Sequence, residues 1–162
     1  MVNNLKDTAL LALACFVAVI PLSRAQDNGR NTGLEYRMMV QDGVPFAFDH
    51  SEEKYFARHP FITAKDFARV VARKSKNSNT PDDWEIDLTP TAIGREKFHA
   101  VADADRSREF CLVFHGTLYE CQAFPPDVKG VYDKGITVTG NFDRAKAEKL
   151  AGEMRREIAK AR

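Results

Sequence analysis

Apolar and polar residues alternate with period two in several stretches of this chain, and each stretch predicts a strand with one buried face. Trp84, Ile86 and Leu88 alternate with Glu85 and Asp87, and Ile136 and Val138 alternate with Thr137 and Thr139. Residues 34–40 read as a first strand, Asp42-Gly43 as a turn and 44–48 as a short second strand. Residues 109–114 and 118–124 read as a hairpin that Pro125-Pro126 ends, and 128–134 as the crossing to the last strand. The charged stretch 50–54 and the Asn-, Ser- and Pro-containing stretch 74–83 read as loops.

Elsewhere the period is helical. Ala147, Leu150, Ala151, Met154 and Ile158 fall on one helical face. Gly140-Asn141 breaks the strand before it, since both residues tolerate positive φ. Asp143 is placed to cap the helix, and Phe142 to staple onto Ala147. A helix is also expected from Thr63, with Asp66 completing a capping box and Phe67, Val70 and Val71 buried. A further helix has Pro90 in its first turn and Phe98, Val101 and Ala102 on its apolar side. The resulting order is strand, helix, strand, helix, hairpin, strand, helix. This predicts an α+β fold with a mainly antiparallel sheet and helices packed on one face, in a ferredoxin-like arrangement.

The N-terminus changes the picture of where the chain works. Residues 1–25 read as a cleaved signal peptide, with Lys6 before an apolar run at 9–20 and small residues at Ser23 and Ala25. Cleavage is expected between Ala25 and Gln26, giving a periplasmic or secreted bacterial protein. The apolar run is shorter than the ~20 residues that span a bilayer, so no integral membrane segment is expected after cleavage. Residues 26–54 form an N-terminal leader and strand region, and 55–162 a single α+β domain. With the signal removed, 22 basic and 22 acidic residues remain. That balance argues against nucleic acid or an anionic membrane as the main partner.

Candidate chemistry is sparse. The histidines, His50, His59, His99 and His115, have no metal-ligand spacing. Catalytic serine, dinucleotide and phosphate-loop motifs are absent, so no catalytic residue, metal or cofactor is expected. Cys111 and Cys121 remain in an exported chain, where a disulfide is one reading and two small buried hydrophobes the other. Register decides between them. A two-residue turn at His115-Gly116 sets position 111 against 120, with the sulfurs on opposite faces. A loop that includes Thr117, or a bulge at Gly116, sets 111 against 121. The polar sheet face carrying Glu85, Asp87, Thr137 and Thr139 is the candidate partner-binding surface. Sheet edges offer a second route, by addition of an extended peptide.

Several of these stretches, in order, resemble the head of the first periplasmic domain of SecD, the accessory subunit of the bacterial protein-export translocon. The best match is Ile136, Thr139, Gly140, Asn141, Phe142, Asp143, Ala147, Leu150 and Ala151, which is similar to the family's ITGNF run and the helix after it. PFITAKDFARV, WEIDLTP with GREKF, and EFCLVFHGTLYECQAF resemble its helix entry, its strand and Leu-Thr-Pro helix, and its hairpin with Gly116 at the turn. The matched region runs over about 55–158. His115 stands where the family has Asp, Gln122 where it has Pro, and Cys111 and Cys121 where it has Ala. About two extra residues lie between Pro90 and Gly94.

The resemblance implies a ferredoxin-like fold and a non-enzymatic module that contacts a polypeptide or an envelope protein, the export translocon among them. It also implies a free-standing relative, without the membrane bundle through which SecD draws on an ion gradient. The alternatives are a small secreted enzyme or inhibitor, using a cleft between the 109–124 hairpin and the 74–83 loop, and a structural envelope protein.

Overall fold

The computed structural model describes residues 33–47, 53–76, 80 and 82–162. The expected signal peptide, its cleavage point at Ala25 and Gln26, most of the leader, and His50 lie outside the described residues.

Eight strands and three helices make an α+β fold with antiparallel pairing throughout the described residues. Strand β1 (Leu34–Ala47) is central to the first sheet. On one side it pairs with β2 (Glu53–Phe56) and, at its start, with β3 (Ile62–Thr63). On the other it pairs with β6 (Glu109–Phe114), which forms the hairpin with β7 (Thr117–Ala123). The second sheet has the order β4 (Phe67–Lys74), β5 (Trp84–Pro90), β8 (Ile136–Phe142). Helix α1 (Ala92–Ala104) follows β5, the short α2 (Val128–Tyr132) precedes β8, and α3 (Arg144–Lys160) follows it.

Period-two alternation sets which side chains meet. Leu34, Tyr36, Phe110, Leu112 and Phe114 line the inner face of the first sheet, and Ile86, Leu88, Ile136 and Val138 that of the second. Tyr36, Phe61, Phe98, Phe110 and Tyr132 form the aromatic centre, with Phe98 and Tyr132 stacked at 4.6 Å. All five apolar residues expected on the face of α3 are buried. Asp143 caps that helix, accepting from the Lys146 N–H at 2.7 Å.

Four local expectations need correction. Thr63 begins only a single 3-10 turn, Ala64–Asp66, after which the chain runs as strand β4. The cause is a bulge: Phe67 faces Pro90 but Arg69 faces Thr89, so Ala68 is an extra residue. Phe67 and Val70 therefore both face the core while spaced three apart, the spacing of a helix turn. Asp42-Gly43 is not a turn between two strands. Met39 and Val44 both pair with Phe56, so 40–43 bulge out within one long strand. Gly43 lies so close to the Phe56 carbonyl that a Cβ there would overlap it. Pro90 ends β5 rather than opening a helix, and Thr91 is the cap of α1, accepting from Gly94 N–H at 3.0 Å. Gly140 and Asn141 stay inside β8, where three residues lie opposite Glu85, and neither takes positive φ. Residues 128–134 cross to β8 through α2, whose Tyr132 is held by its stack on Phe98.

Candidate functional site

The sheet face singled out in the sequence is brought together, but not as an open surface. Asp87 and Thr137 are opposite each other in β5 and β8, and the Thr137 hydroxyl donates to Asp87 Oδ1 at 2.8 Å. Glu85 is buried, 5 % exposed. Arg73 on β4 lies opposite Glu85 and forms ion pairs with both Glu85 and Asp87. The hydrogen bond to Asp87, above all, raises the Arg73 pKa above its ordinary value. One guanidinium is thus shared by two carboxylates. The face neutralises much of its own charge and offers a partner less than the alternating pattern suggested. Arg73 was hidden from the sequence because its segment reads as helix.

Thr139, the fourth residue of the face, turns toward the other sheet. Its hydroxyl donates to Glu120 Oε1 at 3.0 Å and its N–H to Oε2 at 3.3 Å. Glu120 belongs to β7, so this carboxylate links the hairpin to β8. Burial pushes its pKa up, partly offset by the two bonds from Thr139.

In the hairpin the turn has two residues, His115 at φ 49° and Gly116 at φ 74°. Phe114 faces Thr117 and Val113 faces Leu118, but Leu112 faces Glu120. Tyr119 is therefore an extra residue, and beyond it Cys111 lies opposite Cys121. The two sulfurs are bonded, S–S 2.01 Å. The register shift needed for this lies at Tyr119, not at Gly116 or Thr117. Beyond the hairpin, among the other motif residues, Gly140, Asn141 and Asp143 are exposed and Phe142 and Ala147 are buried. Among the described residues no group of three or more His, Cys, Asp or Glu side chains is placed to hold a metal ion. No helix among them is long and apolar enough to cross a membrane.

A different place has the shape of a site. Strand β4 is the edge of its sheet, and the end of α3 runs beside it. Between them lies an open groove of about 430 Å³ lined by Ala68, Arg69, Val70, Val71, Arg155, Ile158, Ala159 and Arg162. Two guanidiniums from α3 and the chain end reach the strand's outward carbonyls. Arg155 donates to Val70 O at 3.2 Å, and Arg162 to Phe67 O at 3.3 Å and Ala68 O at 3.1 Å. A smaller groove, about 170 Å³, lies between Gly33–Glu35 and Thr63–Lys65. Neither groove borders the hairpin. Sequence reasoning named sheet edges in general, but it could not name β4 while that segment read as helix.

No protein-family model matches the chain, and no curated protein sequence matches it. Solved structures do. A crystal structure of SecDF in its super-membrane-facing form superposes with a TM-score of 0.59 at 16 % identity, over 78 % of this chain and 19 % of that one. The chain therefore spans about a fifth of that SecDF. A second SecDF structure, of a membrane component that enhances protein export, gives 0.58 at 16 % identity, over 85 % of this chain and 70 % of that one. At this identity the likeness speaks to architecture, and the architecture is plain: the chain has a SecD-like fold.

Proposed function

We propose that this chain is a non-enzymatic polypeptide-binding module of the cell envelope, working in protein export outside the cytoplasmic membrane. The open edge of β4 and its groove carry this reading. A sheet edge whose outward carbonyls are held only by exchangeable arginine side chains can accept an extended chain, and a neighbouring groove gives that chain's side chains somewhere to sit. The shared fold supports the link to export, because one structural neighbour is a membrane component that enhances it. The Cys111–Cys121 bond suits an oxidising compartment. The polar face of Glu85, Asp87 and Thr137 is the secondary candidate, with one of its two carboxylate charges balanced by Arg73.

The test is photo-crosslinking in cells, with probes at Val71 in the groove and at Thr137 on the polar face, followed by mass spectrometry. Adducts at Val71 with translocon subunits or with many exported chains are expected. One reproducible partner unrelated to export would show that the fold serves a different process. Absence of adducts at both positions would remove the polypeptide-binding reading.

A further inference from the structure

We propose that the groove beside β4 takes an acidic extended segment, whose backbone adds to the strand edge while its carboxylates pair with Arg69, Arg155 and Arg162. The inference rests on the polypeptide-binding reading and names the chemistry of the partner.

Charge complementarity carries it. All three arginines line the groove. Among the described residues none of the three is paired with a carboxylate, although the chain as a whole has 24 basic and 23 acidic residues. Several surface arginines elsewhere do find acids: Arg95 meets Asp133, Arg108 meets Asp105 and Arg144 meets Glu148. Three guanidiniums without a carboxylate partner around one apolar-floored groove form a site for an anion-bearing ligand. Ala68, Val71, Ile158 and Ala159 supply that floor.

The hydrogen bonds show how the ligand would enter. Arg155 and Arg162 now donate to the carbonyls of Val70, Phe67 and Ala68. Those carbonyls are the acceptors that an added strand's N–H groups need. An incoming strand would take them over and release the two guanidiniums. A neutral segment would leave the exposed guanidiniums to water alone. An acidic one offers carboxylates, which a guanidinium can grip with two parallel bonds and opposite charge, where a carbonyl offers neither. Arg155 lies in the last turns of α3 and Arg162 just past its cap at Ala161, and the carbonyls they reach, Val70 and Phe67–Ala68, are two to three residues apart on β4. Arginine side chains can span from there to carboxylates two or four residues apart on an extended chain, about 7–14 Å.

The experiment uses the purified chain and three eight-residue peptides of one Val/Thr-rich sequence, with Glu, Gln or Lys at alternate positions. Binding is read by fluorescence anisotropy and placed by a photo-crosslinker at Val71. The Glu peptide is expected to bind at least ten-fold more tightly than the Gln peptide, with the Lys peptide weakest and the preference fading with salt. Arg155→Gln/Arg162→Gln should lose that preference while still binding the Gln peptide. Arg69→Gln, which leaves the carbonyl caps intact, should reduce it in part and guards against a fold defect in the double variant. Equal binding of Glu and Gln peptides would overturn the acidic preference and leave the polypeptide-binding reading standing. Failure of all three peptides would remove both. A Glu peptide with Pro at the intervening positions, unable to add as a strand, binding as tightly as the parent Glu peptide would show a mere cationic patch and overturn the proposal. So would stronger peptide binding by the double variant, which would make the arginines guards of the edge.

Discussion

Cys111 and Cys121 lie directly across from one another in the hairpin because Tyr119 has no partner in the ladder. Without that extra residue a two-residue turn would leave the sulfurs on opposite faces. The bond closes a loop with a sequence separation of 10, for which restriction of the unfolded chain stabilises by about 2–3 kcal/mol. Replacing both cysteines by alanine should lower stability by that amount in urea unfolding under oxidising conditions. A parent protein measured in reductant should fall to the variant's level.

Gly94 in α1 packs against the Asp66 carbonyl so closely that a Cβ would overlap it. That carbonyl is pinned by the Thr91 N–H at 2.8 Å and the Thr91 hydroxyl at 3.1 Å. The Asp66 carboxylate is held by Thr63 N–H at 2.9 Å and by Lys97, 2.8 Å from each oxygen. Neither side can yield cheaply, so Gly94→Ala should cost about 1–3 kcal/mol. Gly152→Ala in α3, where a Cβ meets nothing nearer than 3.8 Å, should instead stabilise by about 0.5–1 kcal/mol. Thermal unfolding of the two variants side by side separates backbone crowding from helix propensity.

Arg73 is the counter-charge for buried Glu85. Arg73→Met should destabilise by about 1–3 kcal/mol, because a buried acceptor loses its donor. Adding Glu85→Gln should recover part of the loss. A double variant no better than the single one would show that Glu85 is solvated without Arg73.

The Glu120 carboxyl has its pKa raised by burial, beyond what the Thr139 bonds restore. A carboxyl with a higher pKa folded than unfolded binds more protons when folded. Its contribution to stability is therefore greatest at low pH. It falls as pH rises from the ordinary glutamate range through the raised value, and is flat above that. Glu120→Gln keeps an acceptor for Thr139 and removes the titration. It should melt above the parent at pH 7.5 and match it near pH 4. A variant melting lower at pH 7.5 would mean that the charged bonds to Thr139 outweigh burial.

Much of the fold is legible in the residue pattern. The face of α3 and its cap at Asp143 follow from 3.6-residue spacing and from unpaired N–H groups at a helix start. Strands β5, β6 and β8 follow from alternation or apolar runs. The order of four motif-like stretches points to a SecD-like architecture, and the superpositions agree. Three of the four misread places share one cause, Pro90 at the end of β5 being the exception. Bulges at 40–43, Ala68 and 139–141 each add residues to one strand only. The single added residue Ala68 breaks the period of two, so that Phe67–Val70 imitates a helix turn.

The α+β class, the apolar face of the last helix and the match of apolar alternation to strands are readable from residue order, because these depend on neighbours in the chain. Tertiary structure decided what local pattern cannot contain: which strand ends a sheet, which register joins two cysteines, and which arginine meets which acid. Those depend on ladder register between segments far apart in the chain. Arg73 on Glu85 and Arg155 on the β4 edge exist only once that register is set.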